Sequence, residues 1–142
     1  MITIDASVLV AASTLKDPSR AEAGAFLAAA VASDGPIHQP TLSLVEVAAA
    51  IARRTGNDTL AGDVASALLG MPGLVLHPLD LEGSADAAAL AARLKLRGAD
   101  AVYVATALRH GSTLVTLDDE VRRRSSALVD VVTPAKWLER HT

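Results

Sequence analysis

Short apolar runs rich in β-branched residues alternate along the chain with longer stretches of helical periodicity. The short runs predict five strands, at Ile2–Ile4, Ile37–Gln39, Leu74–His77, Thr113–Leu117 and Leu128–Val132. The longer stretches predict helices at Ser19–Ala32, 41–54, Thr59–Leu69, Ser84–Leu96 and Ala99–Arg109, with a short helix opened by Asp118 and a terminal helix after Thr133. Strands separated by helical crossovers pair in parallel, so the pattern favours an α/β fold whose mostly parallel sheet is covered on both faces.

Turn and capping residues mark the boundaries of these elements. The segment Thr55–Asp58 ends one helix and caps the next, and Thr133 followed by Pro134 is typical of a helix start. The segment Asp5–Ser7 is predicted to lie at the end of the first strand, ahead of a turn. No stretch of the sequence has the composition of a linker, a repeat or a low-complexity tract, so we expect one domain over residues 1–142.

Composition narrows the classes of function. The chain has 142 residues, of which 51% are hydrophobic and only 2% are aromatic. So few aromatic side chains argue against a protein that recognises bases by stacking. The absence of cysteine excludes disulfides, zinc–thiolate sites, iron–sulfur clusters and a thiol nucleophile.

Charge and hydropathy do not indicate a membrane protein or a strongly basic nucleic-acid-binding protein. The net charge is −3, although basic residues cluster at Arg53–Arg54, Arg93–Arg97 and Arg122–Arg124. These clusters also have a simpler interpretation as solvated helix faces and favourable helix ends. The N-terminus lacks the basic region of a signal peptide, and the weakly polar stretch Ala23–Ala32 is too short to span a bilayer. We therefore expect a soluble, cytoplasmic protein.

Four carboxylates are the candidate functional residues. Asp5 follows the first predicted strand and Asp118 follows the fourth. Open α/β sheets bind ligands beyond the C-terminal ends of their strands, so these two side chains converge if their strands are neighbours. Glu46 and Asp100 lie in predicted first turns of helices, each between apolar residues where a core face is expected. A charge at such a position needs a partner or a metal ion.

Each acid also has a purely structural interpretation. Asp5 can cap a following turn, and the segment Ser43–Glu46 has the spacing of a capping box. Asp118, Asp119 and Glu120 can all be ordinary acids at a helix N-terminus.

Other site chemistries fit the sequence less well. Haloacid-type phosphatases need an Asp two positions after the first one, but position 7 is Ser, and no phosphate-binding Gly-Lys-Ser/Thr loop occurs. None of the four histidines is spaced like a metal-binding or acid–base pair, so they are interpreted as surface or strand residues: His38, His77, His110 and His141.

Three segments resemble the PIN-domain ribonucleases, especially the small VapC-like toxins of toxin–antitoxin systems. The opening Ile4-Asp5-Ala-Ser7-Val-Leu-Val is similar to their first motif. Arg97-Gly-Ala-Asp100-Ala-Val-Tyr103-Val-Ala-Thr106-Ala is similar to the central motif, and Thr116-Leu-Asp118 to the last acidic one. The resemblance covers nearly the whole chain.

The resemblance implies a three-layer α/β/α sandwich and a Mg²⁺ or Mn²⁺ site. It implies Asp5, Glu46, Asp100 and Asp118 as the catalytic, metal-binding set. Ser7 and Thr116 would be orienting groups, and Asp119 either a helper of Asp118 or an exposed neighbour. Arg97 is our first candidate for contact with RNA phosphates.

The function expected is metal-dependent hydrolysis of RNA by an endonuclease, the toxin of a toxin–antitoxin pair. Hard cations held by carboxylate oxygens suit this chemistry. Alternatives are a non-catalytic PIN-like interaction module, a metal-dependent phosphatase or a DNA nuclease. The partners expected are RNA, an antitoxin and a second copy of the chain, since a mean hydropathy of +0.34 predicts an exposed apolar patch.

Overall fold

The computed structural model describes all 142 residues as a five-stranded sheet with helices on both faces. The strands are β1 Ile2–Ile4, β2 Ile37–Pro40, β3 Leu74–His77, β4 Thr113–Val115 and β5 Val131–Val132. The helices are α1 Ala6–Ala12, α2 Arg20–Ala32, α3 Leu42–Thr55, α4 Asp58–Leu69, α5 Leu81–Leu94, α6 Gly98–His110, α7 Asp119–Ser125 and α8 Pro134–His141. None of these helices is both long and apolar enough to traverse a bilayer.

All strand pairs are parallel, in the order β3-β2-β1-β4-β5. The chain builds the sheet outward from β1 in one direction as far as β3 and then returns to the other side of β1 with β4. The strand order therefore reverses between β1 and β4, which makes their C-terminal ends the place where an open α/β sheet binds ligands. The predicted parallel, three-layer α/β/α fold is confirmed.

Alternating strand residues supply the two halves of the core. Val115 and Val132 pack with α1, α2, α3 and α8 in one hydrophobic cluster. Leu114, on the opposite face of β4, packs with α5, α6 and α7 in a second cluster. Phe26 and Trp137 close the first cluster with an edge-to-face contact, their ring centroids 5.1 Å apart.

Several element boundaries differ from the predictions. The helix α1 was not predicted, and it begins directly after Asp5. The fifth strand is limited to Val131–Val132, and the fourth ends at Val115. The helix α5 begins at Leu81, because the Asp80 carboxylate accepts a hydrogen bond from Gly83 N at 2.8 Å and caps the helix there.

The predicted capping box at Ser43–Glu46 is wrong. The N-cap position of α3 is Thr41, and Ser43 is already inside the helix and fully buried. The Ser43 hydroxyl instead accepts a hydrogen bond from Gln39 Nε2 at 2.9 Å. Gln39 also bonds both backbone groups of Ile4, accepting from its N–H at 2.6 Å and donating to its carbonyl at 2.8 Å. A side-chain amide thus joins the C-terminal ends of β1 and β2 beside the switch point.

Candidate active site

Two of the predicted acids meet across the switch point. Asp5 follows β1 and Asp118 follows β4, and these strands are paired in register from Ile2 and Thr113 to Ile4 and Val115. Asp5 N continues this pairing by donating to Val115 O at 2.9 Å. The neighbouring strands assumed in the sequence argument are therefore present, and they bring both carboxylates to one edge of the sheet.

Asp5 is the most enclosed member of the group, with only 5% of its surface exposed. It occupies the N-cap position of α1 but makes no side-chain capping bond. Instead its Oδ2 accepts hydrogen bonds from the hydroxyls of Ser7, at 2.6 Å, and Thr116, at 2.7 Å. Burial raises the pKa of Asp5, and Asp118 adds to the rise, against the two hydroxyl bonds, which lower it. Oδ1 is left free of side-chain hydrogen bonds.

Ser7 and Thr116 each make a second hydrogen bond, which connects the start of α1 to the segment between β4 and α7. The Ser7 hydroxyl accepts from Leu117 N at 3.1 Å, and the Thr116 hydroxyl accepts from Asp118 N at 3.0 Å. Each hydroxyl therefore donates to Asp5 and accepts from the backbone that follows β4. This arrangement fixes the orientation of the Asp5 carboxylate and the path of the chain leading to Asp118.

Glu46 reaches the same place from α3. It lies in the second turn of that helix, one turn further along than predicted. Its Oε1 is buried without a hydrogen-bond partner, as is the hydroxyl of the neighbouring Tyr103. Burial raises the pKa of Glu46, and the charge of Asp5 raises it further, while the nearby Tyr103 hydroxyl lowers it. This carboxylate can therefore accept a cation as a partner beside the Tyr103 hydroxyl.

Asp100 shows most clearly that the four acids converge. It lies in the first turn of α6, as predicted. Burial raises its pKa to about 6, and the charges of Asp5, Asp118 and Glu46 all contribute to the rise. Arg97, the exposed residue at the N-cap position of α6, acts in the opposite direction. The pKa of Asp100 thus reports three other carboxylates within electrostatic reach.

The side chains of Asp118 and its neighbour Asp119 have different surroundings. Asp118 Oδ1 caps α7, accepting from Glu120 N at 2.8 Å and Val121 N at 3.2 Å. The Asp119 side chain is 81% exposed and pairs with Arg122. Of the two, only Asp118 belongs to the carboxylate group.

The donor set suits a hard divalent cation. Four carboxylates supply oxygen ligands, and Oδ1 of Asp5 and Oε1 of Glu46 are each available to bind a cation. The raised pKa values of Asp5, Glu46 and Asp100 are the expected sign of acids gathered around a place for a cation. The residues therefore fit Mg²⁺ or Mn²⁺ better than a metal that prefers nitrogen or sulfur.

A groove of about 270 Å³ runs from this group along α3. Ser7 and Glu46 line one end of it, and Arg53 and Arg54 line the other. Arg54 is held by Asp17 at 2.9 Å, whereas Arg53 is exposed and makes no ion pair. A negatively charged polymer lying in the groove would meet a free guanidinium beyond the carboxylates.

His38 and His77 lie in strands, as interpreted from the sequence, and His110 is partly exposed at the end of α6, but the proximity of these three side chains was not predicted. His38, His77 and His110 stack against one another, with ring centroids 3.9 to 5.1 Å apart. Their sequence spacing gave no signal, because the contact depends on the pairing of β2 with β3 and on where α6 ends. His141 is elsewhere, stacked on Trp137.

Comparison with known families decides the assignment. The sequence model described as "PIN domain" matches residues 2–126. The chain belongs to the PIN domain family. The resemblance inferred from the three acidic motifs is confirmed, and the matched PIN region contains all four carboxylates. No curated protein sequence matches this chain.

Solved structures share this fold at low sequence identity. VapC20 of Mycobacterium tuberculosis, described as a sarcin–ricin loop cleaving toxin, is 18% identical with a TM-score of 0.77, covering 92% of this chain and 98% of its own. FitAcB of Neisseria gonorrhoeae is 21% identical with a TM-score of 0.70, covering 95% and 99%. VapBC2 of Rickettsia felis, bound to a promoter DNA fragment, is 16% identical with a TM-score of 0.70, covering 94% and 98%. These similarities establish the PIN fold along nearly the full length of this chain.

Proposed function

We propose that this PIN domain is a Mg²⁺- or Mn²⁺-dependent endoribonuclease and the toxin of a toxin–antitoxin pair. The observation that carries the proposal is the gathering of four acids at the switch point. The pairing of β1 with β4 brings Asp5 and Asp118 to one edge of the sheet, and the charges of Asp5, Asp118 and Glu46 all act on Asp100. The family assignment and the toxins among the similar structures support the same conclusion. The proposal treats residues 1–142 as one nuclease domain acting on RNA in the cytoplasm.

Asp5, Glu46, Asp100 and Asp118 would hold the cation. When bound, a divalent ion polarises the phosphoryl oxygen and lowers the pKa of a water molecule. Ser7 and Thr116 keep the Asp5 carboxylate in one orientation by donating to the same oxygen, Oδ2. The opposite oxygen of Asp5 carries no side-chain hydrogen bond and would be available to the cation. Asp119, paired with Arg122 in solvent, is given no part in this assignment.

Basic residues at the rim would hold the RNA backbone. Arg97 is exposed at the start of α6, close enough to Asp100 to lower its pKa. Arg53 lies at the far end of the groove that begins at Glu46. Arg53 shares a groove with Glu46, and Arg97 acts on Asp100, so each arginine is near a different acid and both could contact one strand of RNA. Contacts of this kind position the phosphates without reading sequence.

The partners proposed are an antitoxin and a second copy of the chain. Complexes such as VapBC2 of Rickettsia felis and a toxin–antitoxin complex from Klebsiella pneumoniae have this fold. Large apolar side chains are also exposed on α5 and α6. Leu81 is 87% exposed and Leu108 is 46% exposed. Such side chains favour burial against another protein surface.

The experiment is an RNA cleavage assay on purified protein in EDTA and in Mg²⁺ or Mn²⁺. Wild type should cleave only with metal, and Asp5→Asn and Asp100→Asn should lose cleavage while keeping the circular dichroism of the folded chain. Asp119→Asn, a charge change next to the site, should retain activity. Full activity in either of the first two variants would overturn the site assignment. Cleavage of DNA alone, or metal binding without cleavage, would favour the DNA nuclease or the interaction module.

A further inference from the structure

Three histidines that lie far apart in the sequence form a cluster outside the carboxylate site. His38 lies in β2, His77 is the last residue of β3 and His110 is the last residue of α6. One ring nitrogen from each can be chosen so that the three atoms lie within 4.8 Å of one another. The shortest contact is a hydrogen bond of 2.8 Å between His38 Nδ1 and His77 Nε2. We call these three side chains the histidine cluster.

The backbone fixes the place of the cluster. The pairing of β2 with β3 sets His38 opposite Val75 and Pro40 opposite His77, so both histidines project from the same face of the sheet. The helix α6 packs against β2 on that face and ends at His110. Because Asp100 lies ten residues earlier on α6, the two sites are separated by about 15 Å along the helix. The histidine cluster is therefore not part of the carboxylate group.

The electrostatic surroundings favour neutral imidazoles. Burial lowers the pKa of His38 and His77, and each of the two is lowered further by His110. The other charges that act on them are cationic: the N-terminal amine near His38 and Arg109 near His77. The adjacent carboxylates of Asp86 and Glu82 are paired with Arg109, at 2.6 and 3.4 Å. The neutral form favoured at His38 and His77 offers a nitrogen lone pair, and the carboxylates of Asp86 and Glu82 are engaged by Arg109.

We propose that the histidine cluster binds one transition-metal ion of the Zn²⁺, Co²⁺ or Ni²⁺ class through its three imidazoles. Three neutral nitrogen ligands suit these borderline ions and suit Mg²⁺ or Mn²⁺ poorly. A cavity of about 170 Å³ borders His77 and His110 and leaves room for a water or small anion as a fourth ligand.

Metal binding requires the rings to turn. The ring planes now lie 4° to 24° apart, in a stack. A nitrogen lone pair lies in the plane of its ring, so three nearly parallel rings cannot all point at one ion. The outer torsion of a histidine side chain is broad, and all three side chains are partly exposed, so this rotation meets a small barrier.

A bound ion would join three separate elements. β3 is an edge strand of the sheet, paired on one side only, with β2. Coordination by His77, His38 and His110 would attach that edge to β2 and to the end of α6. An ion that binds only the folded chain adds stability by mass action. The site thus links transition-metal concentration to the stability of the edge of the sheet.

The test is Co²⁺ binding to the full chain without a histidine tag, followed by visible absorption spectroscopy. We expect one equivalent of Co²⁺ to give the absorption bands of a nitrogen-ligated ion, and one equivalent of Zn²⁺ to displace it. His77→Gln and His110→Gln should weaken Co²⁺ binding by roughly 10-fold or more, since losing a ligand matters at least as much as losing an outer-shell partner. Matched controls are His141→Gln, a histidine outside the cluster, and Asp5→Asn, which damages only the carboxylate site.

Each outcome bears on the proposal. Bands that persist in His141→Gln and Asp5→Asn but disappear in His77→Gln support it. Wild type without such bands, or with bands equally strong in His77→Gln, overturns it. A rise in the melting temperature of wild type with Zn²⁺, absent in His110→Gln, supports it independently of the spectrum. Circular dichroism confirms that each variant is folded before its binding is compared.

Discussion

Thr116 donates its hydroxyl hydrogen bond to Asp5 at 2.7 Å, joining residues 111 positions apart in the sequence. The same Thr116 oxygen accepts from Asp118 N at 3.0 Å. One hydroxyl therefore holds the first acid of the site in place and sets the backbone that carries the last. This contact spans the point where the strand order reverses, and the rest of the site is arranged around it.

Replacing Thr116 by valine should remove the hydrogen bonds that hold Asp5 and the backbone of Asp118 while leaving the fold intact. Valine has nearly the same shape, but it loses the bond to Asp5 and leaves Asp118 N without an acceptor. Hydrogen bonds to charged groups contribute about 1.5–3 kcal/mol, so the free energy of unfolding should fall by about that much. Urea unfolding of wild type and Thr116→Val measures this decrease. Thr113→Val is the control. It removes a bond to the carboxylate of Asp130, which is exposed to solvent and also paired with Arg140, so stability should change by less than about 1 kcal/mol. Equal losses in both variants would contradict a special role for Thr116.

Asp100 should give the metal-free protein a distinctive pH dependence. Its pKa in the folded chain is about 6, above the unfolded value, so the folded chain binds this proton more tightly. The free energy of unfolding should therefore decrease as the pH rises from about 4 to about 6. Asp100→Asn removes that contribution, and allowing for solvent screening its advantage over wild type should grow by about 1 kcal/mol across this range.

The measurement is urea unfolding of wild type and Asp100→Asn in EDTA at three pH values between 4.5 and 7.5. The difference between the two proteins is the relevant quantity, because every other titratable group is common to both. A difference that stays constant with pH would show that Asp100 is not near the other acids.

Asp118 caps α7, and its negative charge repels the carboxylates of Asp5 and Asp100. Two substitutions distinguish the effect of the cap on stability from the effect of the charge. Asn caps a helix as well as Asp does, so Asp118→Asn should keep the bonds to Glu120 N and Val121 N while removing one negative charge. We expect the metal-free variant to be more stable than wild type. Asp118→Ala also loses the cap and should be less stable than Asp118→Asn by about 0.5–2 kcal/mol. Melting in EDTA gives both comparisons, and a destabilised Asp118→Asn would mean that the acids do not repel.

The proposed RNA contacts should appear in the salt dependence of binding. In an Asp5→Asn background, Arg53→Ala and Arg97→Ala should each weaken binding of single-stranded RNA. Each should also reduce the slope of log affinity against log salt by about 0.7. Arg140, which is paired with Asp130 at 2.9 Å, provides the control, and Arg140→Ala should leave the slope unchanged. Fluorescence anisotropy at several salt concentrations gives these slopes. Slopes equal to that of the Asp5→Asn protein in all variants would show that neither Arg53 nor Arg97 contacts the RNA phosphates.

Much of the fold and of the acidic group could be predicted because the signals were local. Asp5 and Asp118 come directly after apolar strands, and the ends of neighbouring parallel strands share one edge of the sheet. Asp100 stood out as a charge among apolar residues, and the structure places it in the first turn of α6, as expected. Such features follow from positions near each other in the sequence.

The misses depend on contacts between distant residues. The run Val8–Val10 has high β propensity, yet it forms part of α1 because all three side chains are buried in the helical layer. The Ser43 hydroxyl is occupied by Gln39, so it caps no helix. The histidine cluster requires a strand register and a helix length that no local pattern specifies.

The most direct test of the carboxylate site is the melting temperature of the protein in EDTA and in excess Mg²⁺. Mg²⁺ is chosen because imidazoles bind it poorly, so the histidine cluster does not contribute. At a hundredfold excess over its dissociation constant the ion should add about 2.7 kcal/mol to the free energy of unfolding, which is a rise of several degrees for a chain of this size. Asp119→Asn should show the same rise, and Asp118→Asn a much smaller one. A wild-type protein that melts at the same temperature in both buffers would contradict the convergence of these four acids on a metal site.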